Sequence, residues 1–468
     1  MKEPLKNKEY FEEDIAALAT PPGTGGIAII RMSGEQVIEK IADCFVSEKG
    51  KAPLTGKGAY TLNLGWLLDE EGQKIDQVLI GIMKKPHSYT GENVAEINCH
   101  GGALVAKRCL QRVMRAGIRL AEPGEFTKRA FLNGRLDASQ AEAISEIIQA
   151  RSEKTLQMAM KQLEGINSKQ IGWAENKLIE TLALLDASLD FPEEVGEVDL
   201  EYLKSIVEEQ IEVMQKILKA GARTEIYRRG IELAICGKPN VGKSTLLNVL
   251  LRKERAIVTD TPGTTRDTIE DYLTIKGIPV KIIDTAGIRE TQDPIERIGV
   301  EKAKAAVRGA DIIIFMLDGA AGINEEDQAV FVMIKELEPL IVVNKDDLSE
   351  KKIQKEELAR YFPGGHVLFI SALEDKGLDL LEAAIEKRAI KEGSEVEDLE
   401  IMINIRHKDA LNRATRHLED FLTALPVTPA DCLSIDIRMA AEALGEISGK
   451  NLKEEAIEMI FREFCIGK

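Results

Sequence analysis

The spacing of apolar residues changes along the chain, and each change predicts a different architecture. Up to residue 133, short β-branched runs alternate with polar or glycine-rich segments, which predicts strands with a few helices. From 134 to 229 and again from 404 to 464, apolar residues recur every three or four positions, which predicts long amphipathic helices. Between these stretches, from 230 to 389, strand-like apolar runs alternate with helical segments, as in a parallel sheet covered by helices.

The first stretch predicts an N-terminal α+β domain over residues 1–133. Two apolar runs flank Pro21–Gly26, and the other predicted elements are strands over 60–68, 77–84 and 94–99 and a helix over 103–116. The glycine-rich segment lacks the Lys-Ser pair of a phosphate-binding loop, so it is not predicted to bind a nucleotide.

The helical stretches are predicted to form a bundle, because long helices with apolar stripes need partners. A break is expected near Gly165, and a further helix is expected over Leu200–Ala220. The simplest organisation is an α/β domain over 230–389, inserted into a helical domain whose two parts are 134–229 and 390–468. Two separate helical domains are the alternative.

Composition narrows the class of protein. The 468 residues carry a net charge of −17, which argues against a broad basic surface for nucleic acid. No apolar run reaches the roughly 18 residues of a membrane span, and the charged N-terminus lacks the apolar core of a signal peptide, so a cytoplasmic location is expected. The six cysteines form no Cys-x-x-Cys pair and no Cys/His cluster with zinc spacing, which favours reduced thiols.

The strongest chemical signal lies at the start of the α/β stretch. An apolar strand over 231–236 runs into Gly237–Ser244, which has both glycines and the Lys-Ser pair of the phosphate loop, and a helix is predicted to follow. The glycines allow backbone N–H groups to turn towards phosphate oxygens, and the helix N-terminus adds a favourable dipole. Lys243 is expected to reach the β- and γ-phosphates, and the Ser244 hydroxyl is expected to ligate magnesium.

Three later segments identify the nucleotide. Asp284–Gly287 follows an apolar strand and offers an acid to the magnesium and an N–H group to the γ-phosphate. Asn344–Asp347 resembles the guanine-binding motif of GTPases, in which the Asp347 carboxylate accepts from guanine N1 and N2, a pair that adenine does not offer. Ser371–Leu373 resembles the loop that backs the same base. Four such motifs in order, each after a strand, predict a Ras-like, doubly wound P-loop GTPase domain.

The route to hydrolysis differs from that of Ras. The position after Asp-x-x-Gly, where Ras carries a water-orienting glutamine, is Ile288. Glu290, Asp293 and Glu296 are the acidic candidates for positioning the water. Asn240 in the phosphate loop is either a loop-forming residue or a ligand for a monovalent cation that takes the place of a catalytic arginine.

The first switch of the GTPase domain is predicted over 258–267, where Thr264 or Thr265 is expected to reach magnesium.

Three residues outside the α/β stretch have open interpretations. Arg31 ends an apolar strand and is either solvated or placed against an acidic ligand. His100 either caps a turn or binds a ligand. Cys465 does not belong to a prenylation motif, because Gly-Lys ends the chain. It is either an ordinary apolar residue or part of a tail placed in a site.

Several motifs resemble those of the MnmE family, also called TrmE, of GTPases that modify a tRNA uridine. They are Ala19–Gly23, Tyr89–Glu92 with His100–Gly102, Pro123–Asn133, Gly263–Asp267 and Phe464–Lys468. The resemblance covers nearly all of the chain. It implies a homodimer that acts with the FAD-containing protein MnmG to add a carboxymethylaminomethyl-type group to C5 of the wobble uridine in certain tRNAs. It also implies a 5-formyltetrahydrofolate-type one-carbon donor, bound by a folate-binding-like N-terminal domain.

The resemblance also assigns residues to sites. The folate-type donor is matched by Arg31, Glu96, Arg135 and Lys468. Potassium is matched by Asn240, Thr259, Thr261 and Thr264, and magnesium by Ser244 and Thr265. Glu296 matches the residue that orients the attacking water, and Cys465 matches a position proposed for the modification chemistry. The predicted GTP-contacting set is completed by Val241, Gly242, Lys243, Thr245, Asp260, Pro262, Gly263, Asp284, Thr285, Ala286, Gly287, Asn344, Lys345, Asp347, Ser371, Ala372 and Leu373.

Two other classes of function fit parts of the sequence. One is a regulatory or ribosome-assembly GTP switch, and the other is a helical scaffold with a vestigial GTPase domain. A switch has no need of the first 130 residues or of the terminal Cys-Ile-Gly-Lys, and the complete set of nucleotide motifs argues against a vestigial domain.

Overall fold

The computed structural model describes residues 13–48, 54–196, 199–253, 272–284, 307–348, 352–353, 355–390, 401–428 and 430–468. Among these residues, no helix combines the length and the apolar character that crossing a membrane requires.

A seven-stranded sheet organises the N-terminal part, in the order β3-β4-β5-β6-β2-β1-β7. Its strands are β1 (Ile15–Leu18), β2 (Ile27–Ser33), β3 (Phe45–Ser47), β4 (Thr61–Leu68), β5 (Lys74–Met83), β6 (Val94–His100) and β7 (Arg119–Leu120), and its helices are α1 (Val37–Ala42), α2 (Ala103–Arg115) and α3 (Glu125–Leu132). The central strands β2 and β6 are antiparallel, and their register places Arg31 opposite Glu96. Apolar side chains of β2, β5 and β6 form the core together with α1 and α2.

In the part of the chain that the structure describes, five helices follow the sheet. They are α4 (Ala138–Gln149), α5 (Glu153–Leu163), α6 (Ile166–Asp190), α7 (Pro192–Val195) and α8 (Leu200–Arg229). The predicted break at Gly165 is present, with this glycine in the left-handed conformation before α6. A second break between α4 and α5 was not predicted. The Ser152 side chain caps α5 there by accepting from the Thr155 N–H group.

Helix α8 corrects the predicted Leu200–Ala220, because it continues to Arg229. The added turns are held by tertiary contacts that the spacing of apolar residues does not reveal. The Thr224 hydroxyl donates to the Ile401 carbonyl at 2.7 Å. A Cβ on Gly221 would lie 2.1 Å from the Ile403 side chain, so this glycine allows the returning chain to pass close to the helix.

The α/β part begins one residue after α8. Its strands are β8 (Ile231–Cys236), β9 (Tyr272–Ile275), β10 (Ile278–Asp284), β11 (Ile312–Asp318), β12 (Leu340–Asn344) and β13 (Val367–Phe369), and its described helices are α9 (Lys243–Lys253), α10 (Glu325–Ile334), α11 (Lys355–Tyr361) and α12 (Leu378–Ile390). The sheet order is β13-β12-β11-β8-β10-β9, and among these described strands only the edge strand β9 is antiparallel to its neighbour. This is a doubly wound sheet, in which ligands bind at the carboxyl ends of the strands.

The chain then returns to the helical part through α13 (Ile405–Ala424), α14 (Ala430–Ser448) and α15 (Glu454–Arg462). Helices α6 and α8 share one apolar core with α13 and α14, so helices from before and after the α/β part pack together. The described helices therefore favour one interrupted helical domain over two separate ones. The predicted boundaries at 133, 229 and 389 stay predictions.

Candidate functional site

The phosphate loop requires glycine at two positions. Gly237 and Gly242 have φ angles of +146° and +105°, which L-residues rarely adopt. A Cβ on Gly242 would lie 2.2 Å from the Asn344 amide nitrogen, and a Cβ on Gly237 would lie 2.5 Å from the Met316 carbonyl oxygen. The loop thus passes directly over β11 and against the end of β12.

Lys243 is the first residue of α9, and its side chain curls back inside the loop. Its ammonium group donates to the carbonyls of Gly237 and Lys238, each at 2.7 Å. Ser244 and Thr245 follow in the first turn of α9 and are exposed. Because a helix N-terminus attracts anions, the ammonium group and the first turn of α9 together favour phosphate on this side of the loop.

A neighbouring lysine anchors the loop from the other side, which the sequence did not indicate. The Lys238 ammonium lies 2.6 Å from a carboxylate oxygen of Asp327, whose side chain is buried. Asp327 also forms a capping box with Asn324 at the start of α10. The ion pair therefore ties the phosphate loop to the N-terminus of α10.

Asn344 connects the phosphate loop to the predicted base-binding loop. Its amide nitrogen donates to the Val241 carbonyl at 2.8 Å, and its amide oxygen accepts from the Ala372 N–H group at 3.0 Å. The residue is only 3 % exposed. Asn344 therefore holds two predicted nucleotide-binding loops in register.

The rest of the guanine-type motif is arranged around ionised carboxylates. Burial opposes ionisation of Asp318, but the Lys345 ammonium at 2.6 Å holds its pKa below the usual range. A hydrogen bond from Ser371 lowers the pKa of the partly exposed Asp347. Asp347 is therefore a carboxylate at neutral pH, as acceptance of two guanine N–H groups requires. Leu373 is 81 % exposed beside this loop.

The conformation of Asn240 bears on its two interpretations. Its φ angle is +66°, a left-handed conformation that asparagine tolerates better than most residues. The loop conformation alone thus gives a reason for asparagine, and a cation-binding role needs an independent test.

The second half of the nucleotide site lies largely outside the described residues. Asp284 ends β10, where its backbone pairs with Ile235 of the strand that leads into the phosphate loop. The predicted residues outside the described parts of the chain are Thr259, Asp260, Thr261, Pro262, Gly263, Thr264, Thr265, Thr285, Ala286, Gly287, Ile288, Glu290, Asp293 and Glu296.

A second cluster of predicted site residues lies on the N-terminal sheet. The Arg31 guanidinium bonds to the Glu96 carboxylate at 2.8 Å and to the Gly467 carbonyl at 3.3 Å. It also lies 5.5 Å from the ring centroid of Tyr89 and 6.0 Å from that of Phe126. Arg31 is therefore enclosed by charged and aromatic groups, so the solvated interpretation does not describe it.

Two further basic residues lie at this cluster. Arg135 lies beside the Tyr89 ring, and Lys468 lies near Arg31. The Arg135 guanidinium lies 5.5 Å from the Tyr89 ring and donates to the Ser88 carbonyl. Burial and the charge of Arg31 lower the pKa of Lys468. Burial raises the pKa of Tyr89, whose hydroxyl bonds to Thr127 at 2.8 Å. We call Arg31, Tyr89, Glu96, Arg135 and Lys468 the arginine site.

The end of the chain lies against the N-terminal domain. Gly467 has a φ angle of +93°, and a Cβ there would lie 2.6 Å from the Leu18 carbonyl oxygen. The Gly124 N–H group donates to the Cys465 carbonyl at 3.4 Å, while Cys465 itself is exposed. The tail thus lies beside the arginine site, and the placement of Cys465 in a functional site stays a prediction.

Comparison with known proteins gives matches along almost the whole chain. Residues 14–135 match the family model described as "GTP-binding protein TrmE N-terminus", and residues 139–465 match the model described as "MnmE helical domain". The chain is similar to the proteins named tRNA modification GTPase MnmE of Syntrophomonas wolfei subsp. wolfei and Moorella thermoacetica. It is 54 % identical to the first over 97 % of this chain and 99 % of that one, and 46 % identical to the second over 98 % and 100 %.

The chain belongs to the MnmE family.

Family membership agrees with the three parts of the fold. The α+β part, the helical part and the inserted P-loop GTPase part are all present, so the predicted fold class is confirmed. The predictions of an MnmE-family protein and of a GTP-hydrolysing enzyme are confirmed as well. Sequence reasoning gave no roles to Tyr89, Phe126 and Lys238, because each acts through a residue distant in the sequence.

Proposed function

We propose that this protein hydrolyses GTP in order to drive modification of the wobble uridine of tRNA. The observation that carries the nucleotide half of the proposal is the junction at Asn344, which joins the phosphate loop to the base-binding loop. The partly exposed, ionised carboxylate of Asp347 would then select guanine. The tRNA half rests on the relatives, which are named tRNA modification GTPases and match nearly the full length of the chain.

Hydrolysis is proposed to depend on magnesium and potassium. Ser244, in the exposed first turn of α9, would hold magnesium together with Thr265, and the metal would neutralise phosphate charge. Asn240, Thr259, Thr261 and Thr264 would hold potassium, which supplies positive charge where other GTPases use an arginine. Glu296 would orient the attacking water, because Ile288 has no polar group for that purpose.

The arginine site is proposed to bind a 5-formyltetrahydrofolate-type one-carbon donor. Such a ligand carries two carboxylates and a flat ring, and the site offers the guanidinium groups of Arg31 and Arg135 beside the ring of Tyr89. Glu96 would orient Arg31, and Lys468 would add a further positive charge. Arginine is suited to this role because its planar fork binds carboxylates and stacks on rings.

Two partners complete the proposal. A second copy of the chain would form a homodimer, and an FAD-containing MnmG protein would complete the addition of the carboxymethylaminomethyl-type group in the cytoplasm. Cys465 is exposed in the tail near the arginine site, and its side chain is proposed to take part in this chemistry. An assembly switch would not need the arginine site, which argues against that alternative.

The test compares GTP hydrolysis in potassium and in sodium at equal ionic strength. We expect potassium to raise the rate at least tenfold, in line with the ~100-fold effect of one preorganised charge-stabilising group. Asn240→Gly keeps the left-handed conformation but removes the amide oxygen, so it separates the cation-binding role from the loop-forming role. Loss of the potassium effect in Asn240→Gly supports the proposal, while equal rates in the two salts for the wild type contradict it.

A second comparison tests the water-orienting residue. Glu296→Ala is expected to bind GTP normally but to lose hydrolysis, whereas Glu290→Ala and Asp293→Ala serve as matched controls that stay active. Full activity of Glu296→Ala would exclude this residue from catalysis.

A further inference from the structure

Three side chains with metal-binding atoms meet in the N-terminal domain, and neither proposed site uses any of them. Asp76 lies on β5, Cys99 on β6 and Cys109 on α2. One carboxylate oxygen and the two sulfur atoms all lie within 4.8 Å of one another. The two cysteines are 3 % and 0 % exposed. The sequence showed no zinc spacing because these residues come together only through the packing of α2 on the sheet.

The strand pairing fixes the position of the carboxylate. The paired residues of β5 and β6 run from Met83 opposite Val94 to Leu79 opposite Asn98. Asp76 lies beyond the last of these pairs, nearer the start of β5. There its carboxylate accepts from the His100 N–H group at 2.8 Å and contacts the His100 ring nitrogen Nδ1 at 2.7 Å. Asp76 is thus held by the residue next to Cys99, so the carboxylate and that thiol are positioned together.

We infer that Asp76, Cys99 and Cys109 form a binding site for a thiophilic divalent cation, with Zn²⁺ as the best match. Around one tetrahedral zinc ion, sulfur lies at ~2.3 Å and carboxylate oxygen at ~2.0–2.2 Å, so two ligand atoms are ~3.5–3.8 Å apart. The three ligand atoms lie within 4.8 Å of one another and would therefore have to close by at most ~1.3 Å on binding. Thiolates favour zinc over magnesium or calcium, which prefer oxygen ligands.

The surroundings of the cluster suit such an ion. The His100 contact to Asp76 is of the kind that orients a ligand from outside the metal. Because His100 keeps its ring nitrogen Nδ1 on Asp76, the fourth tetrahedral position beside the three protein ligands is left for water. On binding, the two thiols would release their protons to solvent, and the sulfur atoms would bind the cation as thiolates.

Cobalt(II) provides a direct test, because thiolate ligation produces charge-transfer absorption that oxygen ligands in the GTPase domain do not. The full chain is reduced with a phosphine and titrated with Co²⁺ and then with Zn²⁺. We expect the absorption to saturate at one Co²⁺ per chain and to disappear when Zn²⁺ is added. Cys99→Ala and Cys109→Ala should abolish it, and His100→Ala should weaken binding by about 10- to 100-fold.

Cys44→Ala is the matched control, because Cys44 is also a buried thiol of the N-terminal domain. Its absorption should equal that of the wild type. The inference is overturned if the reduced wild type gives no charge-transfer absorption, or if a cysteine variant with native melting behaviour keeps it. Should both cysteine variants unfold, Asp76→Asn decides: unchanged Co²⁺ affinity in that folded variant would overturn the site.

Discussion

The nucleotide site and the arginine site are assembled in opposite ways. The described part of the nucleotide site consists of short segments at the carboxyl ends of parallel strands of one sheet, namely residues 237–244, 344–347 and 371–373. The arginine site instead combines β2, β6, the segment after α3 and the last residues of the chain, so the Arg31 guanidinium contacts the Gly467 carbonyl. The nucleotide site is thus formed within one domain, whereas the arginine site needs the last residues of the chain to pack against the N-terminal domain.

This difference determines how each site should fail. A nucleotide-site substitution should change GTP binding and leave the arginine site intact. A substitution in the helices that bring the chain back should weaken the arginine site while the phosphate loop stays in place. The following predictions test that separation, from the largest expected effect to the smallest.

Asp347→Asn should shift the base preference of the nucleotide site from guanine towards xanthine. Asparagine offers an N–H group where xanthine has a carbonyl, whereas the carboxylate accepts from two guanine N–H groups. We expect the preference for GTP over XTP to fall by at least ~100-fold, because a site built for specific hydrogen bonds strongly rejects a mismatched partner. Competition between labelled GTP and XTP measures it. Asp346→Asn is the matched control, and an unchanged preference in Asp347→Asn would contradict the guanine-reading role.

Asn344→Ala should destabilise the GTPase domain as well as weaken GTP binding. It leaves the Val241 carbonyl and the Ala372 N–H group buried without their partner, which costs about 3 kcal/mol of unfolding free energy. Hydrogen exchange at amides of β8 and β12 measures the loss. Asn98→Ala removes only an exposed side-chain bond to the Leu79 carbonyl and should change stability by less than about 0.5 kcal/mol. Equal effects of the two substitutions would show that Asn344 does not stabilise the contact between the phosphate loop and the base-binding loop.

Acid should weaken the contact between Glu142 on α4 and helix α13, and so lower the stability of the helical part. Burial opposes its ionisation, but His407 at 2.8 Å and Arg406 at 2.9 Å on α13 lower its pKa to about 2. A lowered carboxyl pKa stabilises the fold above the ordinary carboxyl pKa, and this contribution disappears as the pH falls towards 2. The wild type should therefore lose about 2–3 kcal/mol more than Glu142→Gln over that range.

Denaturant unfolding in a Trp66→Phe background measures this difference, because Trp173, an exposed side chain on α6, then reports unfolding of that helix. Glu153→Gln, at an exposed position at the start of α5, is the control. Parallel pH curves for the wild type and Glu142→Gln would show that the contact between α4 and α13 carries no such stabilisation.

Gly467→Ala should displace the tail and leave the rest of the fold unchanged. Its φ angle of +93° is unfavourable for alanine by roughly 1–2 kcal/mol, and the added Cβ would meet the Leu18 carbonyl. We expect weaker binding of 5-formyltetrahydrofolate by about tenfold, with unchanged GTP hydrolysis, as measured by calorimetry and phosphate release. Gly172→Ala, where nothing lies near an added Cβ, is the control. A loss of GTPase activity in Gly467→Ala would show that the two sites are not separate.

The two sites also differ in how the sequence predicts them, because four of the five residues of the arginine site were assigned to it only through the family resemblance. The phosphate loop and the guanine-type motif were predicted residue by residue, because glycines and polar side chains directly after apolar strands have a local physical meaning. The ring contacts of Tyr89, the anchoring of Lys238 by Asp327 and the cluster of Asp76 with two cysteines were not predicted. Each depends on packing between segments far apart in the chain, which the spacing of residues does not encode.

The helices show the same limit. The periodicity of apolar residues predicted α6, but it placed the end of α8 at Ala220, because the last turns are held by the returning segment at Ile401 and Ile403. Local pattern thus identifies an element, and tertiary contacts decide where it ends.

The end of the chain is proposed to complete a ligand site on the N-terminal sheet. Calorimetric titration of 5-formyltetrahydrofolate into the full chain, a chain without residues 465–468 and Arg31→Gln tests it most directly, with Arg108→Gln as a control at an exposed arginine. The account predicts binding to the full chain and the control, at least tenfold weaker binding to the other two, and equal GTP affinity in all four. Undiminished folate binding by the shortened chain would contradict it.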